Sequence, residues 1–180
     1  MTVPRKGNIM KLSIQDIHRH SNIVESIYSP NKDSAAFELS LMTCMERGLV
    51  IEKWVAEFIN DYTGYKTSLT VPNAAWDITM DMQDKPVRIE VKSSMVRAKT
   101  NSLNFFGVKP DSFEYIFFGF VMPTGIQIKW ATVEDIKKYC KGRKYGRAGY
   151  TVIMNDADNW GEFDWMYDLE DFPYNPKDFA

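Results

Sequence analysis

At 180 residues, with 44% apolar and 14% aromatic side chains, the chain has the length and apolar content of one globular unit that closes a substantial core. No run approaches the roughly 20 apolar residues that cross a bilayer, and the opening MTVPRKGNIMKLSIQD lacks the apolar segment of a secretory signal, so the expectation is a cytoplasmic protein without a membrane anchor. The net charge of -2 hides an asymmetry: residues 156–180 carry eight acids against Lys177, a sum of -7, which leaves +5 for the rest. A mildly basic body is compatible with a polyanionic partner, because binding follows the local field at the contact surface rather than the total.

In chain order, Ile14, Ile17, Ile23, Val24 and Ile27 recur at helical spacing after Ser13, and Pro30 stops the pattern. A longer helical pattern covers residues 34–62, from Phe37, Leu39, Leu41 and Met42 to Val50, Trp54, Val55, Phe58 and Ile59, and Gly48 is expected to divide it into two helices. After Gly64 the period changes to that of strands. AAWDITMDM and VRIEVKSS read as a hairpin around Asp84, Lys85 and Pro86, and EYIFFGFV reads as a central strand covered on both faces. GIQIKWA alternates as a further strand, Thr132 caps a helix VEDIKKYC, and GYTVIM gives one more strand. The expected class is therefore α/β, with helices packed on a mixed sheet. No linker divides the chain, so one domain over 1–180 is expected, with an N-terminal helical extension at 1–32, a core at 46–154 and an acidic aromatic tail at 155–180.

Cys44 and Cys140 have no CxxC spacing and so suggest neither a zinc site nor a disulfide framework, and both are expected to be reduced core thiols; His18 and His20 read as surface residues. In the tail, Trp160, Phe163, Trp165, Met166, Tyr167 and Phe172 predict an ordered segment packed on the body or on a second subunit.

The chemistry lies in Ile89-Glu90-Val91-Lys92. On a strand the acid and the lysine share one face while Ile89 and Val91 take the other, and Asp77, thirteen residues before Glu90, reaches the same end of the sheet if the hairpin closes. Two carboxylates beside a lysine suit phosphodiester hydrolysis. A hard cation such as Mg2+ takes oxygen ligands and keeps positions for water and phosphate. Asp77 and Glu90 are the expected ligands, with the Val91 carbonyl as a third oxygen; Lys92 would orient the water or neutralise developing charge.

Asp77, then twelve residues, then Glu90-Val91-Lys92, preceded by a helix with Gly48 and Glu52, resembles the PD-(D/E)xK nuclease superfamily over roughly residues 46–140. The resemblance implies a restriction-endonuclease-like core and a helix glutamate that completes the metal shell. Glu52 matches that position, with Glu46 and Glu57 as alternatives, and Trp76 stands where many members carry proline. It further implies a Mg2+-dependent DNA endonuclease, with Mn2+ as substitute metal and no organic cofactor. Among members the chain is most like a type II restriction enzyme acting as a homodimer; a Holliday-junction or repair nuclease has the same core.

Two polar, basic stretches are candidates for DNA contact. SSMVRAKTNSLN supplies Ser93, Ser94, Arg97, Lys99 and Asn101 without an acid. KKYCKGRKYGRAGY supplies Lys141, Arg143, Lys144 and Arg147, with glycines for mobility and tyrosines to stack. The rival reading is a non-catalytic nucleic-acid-binding protein of nuclease-like fold.

Overall fold

The computed structural model describes residues 28, 32–71, 74–82, 85–97, 100–157 and 163–172. Of the helix expected over residues 14–29, only Tyr28 falls among them, and His18 and His20 fall outside. Tyr28 is fully buried, donates from its hydroxyl to the Val121 carbonyl at 2.8 Å, and accepts from the Val96 N–H at 3.2 Å.

The long helical pattern does break, but not at Gly48. Helix α1 covers Ala35–Leu41 and helix α2 runs unbroken over Cys44–Thr63. The division falls at Thr43, whose side chain accepts from the Glu46 N–H while the Glu46 carboxylate accepts from the Thr43 N–H, a reciprocal cap that starts a new helix. Gly48 costs α2 some propensity, but the helix is held by burial of Arg47, Ile51, Val55, Ala56 and Ile59 along one stripe. Gly64, with φ 73°, ends it. Cys44 is exposed in the first turn of α2, which corrects the expectation of a core thiol; Cys140 is buried as expected.

Among the described residues, eight strands follow the order β1 Thr67–Leu69, β2 Ile78–Met82, β3 Lys85–Met95, β4 Leu103–Val108, β5 Tyr115–Met122, β6 Gly125–Thr132, β7 Tyr150–Met154 and β8 Tyr167–Asp168, with helix α3 at Val133–Cys140 between β6 and β7. A six-stranded sheet has the order β1-β2-β3-β5-β6-β8. All its neighbours are antiparallel except β3 and β5, which run parallel, so the sheet is mixed. The expected hairpin is the β2–β3 pair. The expected central strand is β5, buried from Ile116 to Met122. The expected cap on α3 is present, with Thr132 and Asp135 bonded reciprocally.

β7 is a strand as expected but lies outside the main sheet, paired with β4 as a separate antiparallel ribbon. Sequence reading predicts no strand at β4. Its buried Leu103, Phe105 and Val108 alternate with exposed Phe106 until Gly107, with φ 76°, shifts the register, and that shift hides the period of two.

The sheet buries both faces. On one, Ile89, Val91, Phe117 and Val121 pack against Ile51, Val55 and Ile59 of α2. On the other, Ile116, Phe118 and Phe120 pack with Phe105, Ile136 and Val152 from β4, α3 and β7. Residues 163–172 of the tail join both cores: Phe163 and Met166 pack in the second and Phe172 in the first. Tyr167 stacks on Trp130 at 4.6 Å while β8 pairs with β6, so this part of the tail is ordered against the body; Trp160 falls outside the described residues. No helix among the described residues is long and apolar enough to cross a membrane.

Candidate active site

The site forms where two strands of unequal length part. β2 begins at Ile78, opposite Ile89, so beyond Ile89 strand β3 continues with β5 alone as its strand neighbour among the described residues. Asp77 lies at that step. Its N–H donates to the Ile89 carbonyl at 3.0 Å, and its Oδ2 accepts from the Val91 N–H at 2.8 Å. The Asp77 carbonyl accepts in turn from the Thr70 N–H at 2.9 Å, which fixes the residue from the β1 side. In a strand a residue's N–H and C=O face the same edge, so the Val91 carbonyl is turned toward the edge that holds Asp77.

Glu90 and Lys92 project from the other face of β3 from Ile89 and Val91, as the alternation predicts. Glu90 is only 6% exposed, and the Lys92 ammonium donates to its Oε1. Burial pushes the Glu90 carboxyl up to about 7; Lys92 opposes this, and the charges of Asp77 and Glu52 add to it. Asp77 and Glu90 are each held through one oxygen. Asp77 Oδ1 and Glu90 Oε2 have no hydrogen-bond donor among the described residues.

Glu52 comes from α2, on the flank of the buried stripe next to Ile51. Burial raises its pKa, with a further rise from the charge of Asp77 and a lowering by Lys92. These mutual influences place Glu52, Asp77, Glu90 and Lys92 in one electrostatic neighbourhood. The alternatives on the same helix are engaged elsewhere: Glu46 caps α2, and Glu57 pairs with Lys53 at 3.7 Å.

Among the described residues no three His, Cys, Asp or Glu side chains draw together tightly enough to make a complete metal cage. Mg2+ does not need one, since it keeps several waters and is held by one or two carboxylates. The donor set at this step is oxygen only, and two of its carboxylates have a spare oxygen; that chemistry fits a hard cation.

Sequence reasoning missed three supports of the site. Thr70 Oγ1 donates to the Trp76 carbonyl at 2.5 Å, Trp76 Nε1 donates to Thr79 Oγ1 at 3.0 Å, and the Arg88 guanidinium lies 5.6 Å from the centre of the Trp76 ring. The Arg88 contact has no sequence signature because it depends on the hairpin register, whereas the bonds of Thr70 and Thr79 to Trp76 are local but are made by residue types that carry no pattern of their own. Arg88 also binds Glu114 through its backbone N–H at 2.7 Å and its guanidinium at 2.6 Å, which ties β3 to the start of β5.

The candidate DNA-contacting residues are dispersed. Ser93 is half-buried on the α2 face, opposite Gly119, and Ser94 is buried, its Oγ accepting from the Asn104 N–H at 2.9 Å. Arg97 is exposed over the Phe106 ring, while Asn101, with φ 47°, donates to Asp156 at 2.8 Å in the turn before β4. Lys99 lies outside the described residues. Lys141, Arg143, Lys144 and Arg147 are all exposed in the loop after α3, where Arg143 stacks on Tyr139 at 3.9 Å.

No protein-family model matches the chain, and no curated protein matches it. Among solved structures, that of a bacterial homing endonuclease is similar over 66% of this chain and 80% of its own, at 15% identity and a TM-score of 0.44.

Proposed function

We propose that the chain is a metal-dependent endonuclease that hydrolyses phosphodiester bonds of DNA. The observation that carries this reading is the convergence of Asp77, Glu90 and Lys92 at the step where β2 ends and β3 continues, with Glu52 of α2 within their electrostatic reach. A resident structural ion pair needs one acid and one base. Three acids within electrostatic reach of one lysine exceed what an ion pair needs, and burial and mutual repulsion raise the pKa of Glu90 and Glu52; a bound cation would favour their ionised forms.

Asp77, Glu90 and the Val91 carbonyl would hold Mg2+, with Glu52 beside them. A bound Mg2+ polarises a phosphate oxygen and offsets the charge that builds up on it. Asp77 positions the backbone of β3 through the Val91 N–H, so ligand and carbonyl keep a fixed relation. Lys92 holds Glu90 in place, and its ammonium supplies positive charge where a phosphate approaches. Among candidates for DNA contact, the exposed Arg97, Lys141, Arg143, Lys144 and Arg147 are suited to phosphates; Ser94 is not, because its oxygen is used inside the fold.

The helix carrying Glu52, the hairpin carrying Asp77, Glu90 and Lys92, and the parallel partner β5 follow the order expected from the PD-(D/E)xK resemblance, which supports a restriction-endonuclease-like core within a single nuclease domain. Within that class we favour a type II restriction-like enzyme acting as a homodimer, so that two sites cut both strands. The test is cleavage of supercoiled plasmid and of a four-way junction, each with Mg2+ or EDTA, by wild type and Lys92→Ala. Discrete metal-dependent plasmid fragments, lost in the variant, are expected. Cutting of the junction alone would replace the restriction reading by a junction nuclease, and binding without cleavage of either would leave a non-catalytic DNA-binding protein.

A further inference from the structure

A second feature lies apart from the carboxylates. The β4–β5 loop and the end of α3 enclose a cleft of about 570 Å3, lined by Lys109, Ser112, Lys137, Lys141, Tyr145 and Tyr150 among others. That volume falls within the range of about 300–1,000 Å3 typical of small-molecule sites. The cleft is built by the fold on both sides. On one, Ser112 donates from its N–H and its hydroxyl to the Lys109 carbonyl at 3.0 and 2.7 Å, which closes the loop into a turn. On the other, Gly142, with φ 77°, turns the chain out of α3, and Gly149 packs so close to β4 that a Cβ there would meet the Val108 carbonyl at 2.8 Å. Gly149 thereby seats Tyr150 against β4.

The lining has two chemical halves. Lys109 and Lys141 are exposed and have no acidic partner within ion-pair distance among the described residues, whereas Lys137 is paired with Glu134 at 3.5 Å. Asp111 is the one acid among the residues that line the cleft, so it is net positive. Tyr145 stands 54% exposed and lines the cleft, its ring held perpendicular to that of Tyr150 with ring centres 4.8 Å apart. A large aromatic left so exposed beside unpaired ammonium groups matches what an unpaired nucleotide requires: a surface for the base and charge for its phosphates.

We infer that this cleft binds a nucleotide of single-stranded nucleic acid, its base stacked on Tyr145 and its phosphates held by Lys109 and Lys141. This rests on the nucleic-acid reading of the chain but not on its chemistry. A duplex cannot supply the ligand, because its bases are stacked on one another and present only their edges. An unpaired strand beside the scissile duplex, or one freed by cutting, can.

The test is fluorescence anisotropy in EDTA with a labelled oligothymidylate about 12 nucleotides long and, for comparison, a duplex of the same length. The full chain is compared with Tyr145→Ala, Tyr145→Phe and the double variant Lys109→Ala/Lys141→Ala, each checked for an unchanged thermal melt. Tyr145→Ala is expected to weaken single-strand binding about tenfold and Tyr145→Phe to stay within about twofold, since the ring and not the hydroxyl stacks. The double lysine variant is expected to flatten the logarithmic salt dependence by about 1.4, or about 0.7 for each phosphate that no longer meets an ammonium group. Wild-type affinity in Tyr145→Ala, equal losses in Tyr145→Ala and Tyr145→Phe, an unchanged salt slope, or no binding of the oligonucleotide by the wild type would each overturn the inference. Plasmid cleavage by the same wild-type preparation separates the two readings. Binding that depends on Tyr145 without cleavage supports the cleft and overturns the nuclease, and cleavage without such binding does the reverse.

Discussion

Asp77 serves Val91 as a strand would: its carboxylate accepts the Val91 N–H at 2.8 Å, two residues along β3 beyond the last β2–β3 pair at Ile89. One side chain thus completes the backbone bonding of β3 and brings negative charge to its edge. The two roles are separable by mutation. Asp77→Asn keeps an acceptor oxygen and removes the charge, so cleavage is expected to fall below detection while the melting temperature stays within a few degrees. Asp77→Ala leaves the Val91 N–H without its acceptor and is expected to cost about 1–3 kcal/mol as well. Plasmid cleavage and denaturant unfolding of both variants check this, and cleavage retained by Asp77→Asn would dissociate the charge from the function.

The raised pKa of Glu90 sets a direction for pH. Its ordinary value is 4.5 and its folded value about 7, so the fold favours the neutral form. That contribution to stability is present below the ordinary value and is lost as pH rises through about 7. The metal-free protein should therefore lose stability across this window, on the order of 3 kcal/mol at most, and Glu90→Gln should remove the trend. Melting curves in EDTA from acid to mildly alkaline pH measure it.

Metal binding should show the opposite slope. A carboxylate must be ionised to ligate, so Mg2+ affinity and cleavage are expected to rise up to about tenfold per pH unit below about 7 and to level off above it. Isothermal titration with Mg2+ at several pH values is the measurement. A pH-independent affinity would remove Glu90 from the ligand set.

Lys92→Ala is expected to lower cleavage by roughly 10^2–10^4-fold while leaving duplex binding in EDTA within severalfold, because the proposed mechanism uses its charge at the reacting phosphate. Removing Lys92 also takes away the charge that holds the Glu90 pKa down, so the half-point of the pH profile for Mg2+ binding should move to higher pH. A shift to lower pH would contradict the pairing of the two residues.

A remote change should reach the site through α2. A Cβ at Gly119 of β5 would meet Ile51 Cγ2 at 2.9 Å, and Ile51 precedes Glu52. Gly119→Ala is expected to cost about 1–3 kcal/mol by overpacking and to reduce cleavage by displacing the helix. Ile51→Val keeps Cγ2, so the relieving partner is Ile51→Ala, and the double variant should recover part of the lost activity.

The hairpin, the central strand, β6 and the cap of α3 were legible in the sequence because each depends on neighbours within a few residues: alternation in Ile89 to Lys92, a continuous apolar run from Tyr115, the hydroxyl of Thr132. The break at Thr43 carried an equally local signal, its capping partner Glu46, but Gly48 drew the expectation away. β4 escaped because the Gly107 shift interrupts its alternation. Of the candidate site, the placement of Glu90 and Lys92 on one face of β3 was legible. That Asp77 takes up the Val91 N–H was not legible, since it requires β2 to start one residue after Asp77, a matter of register between segments.

The six-stranded sheet ends on a three-residue strand at β1 and a two-residue strand at β8. An exposed strand edge is a template on which a second chain can pair, and its hazard grows with its length and with the stickiness of what lies behind it. The interior of the sheet includes β5, between β3 and β6, whose YIFFGF run is the kind of segment that assembles into fibrils when exposed. Confining the borders to a few residues, with Phe172 and Tyr167 closing over Trp130 at one of them, makes the tail a guard against self-association as well as a part of the core.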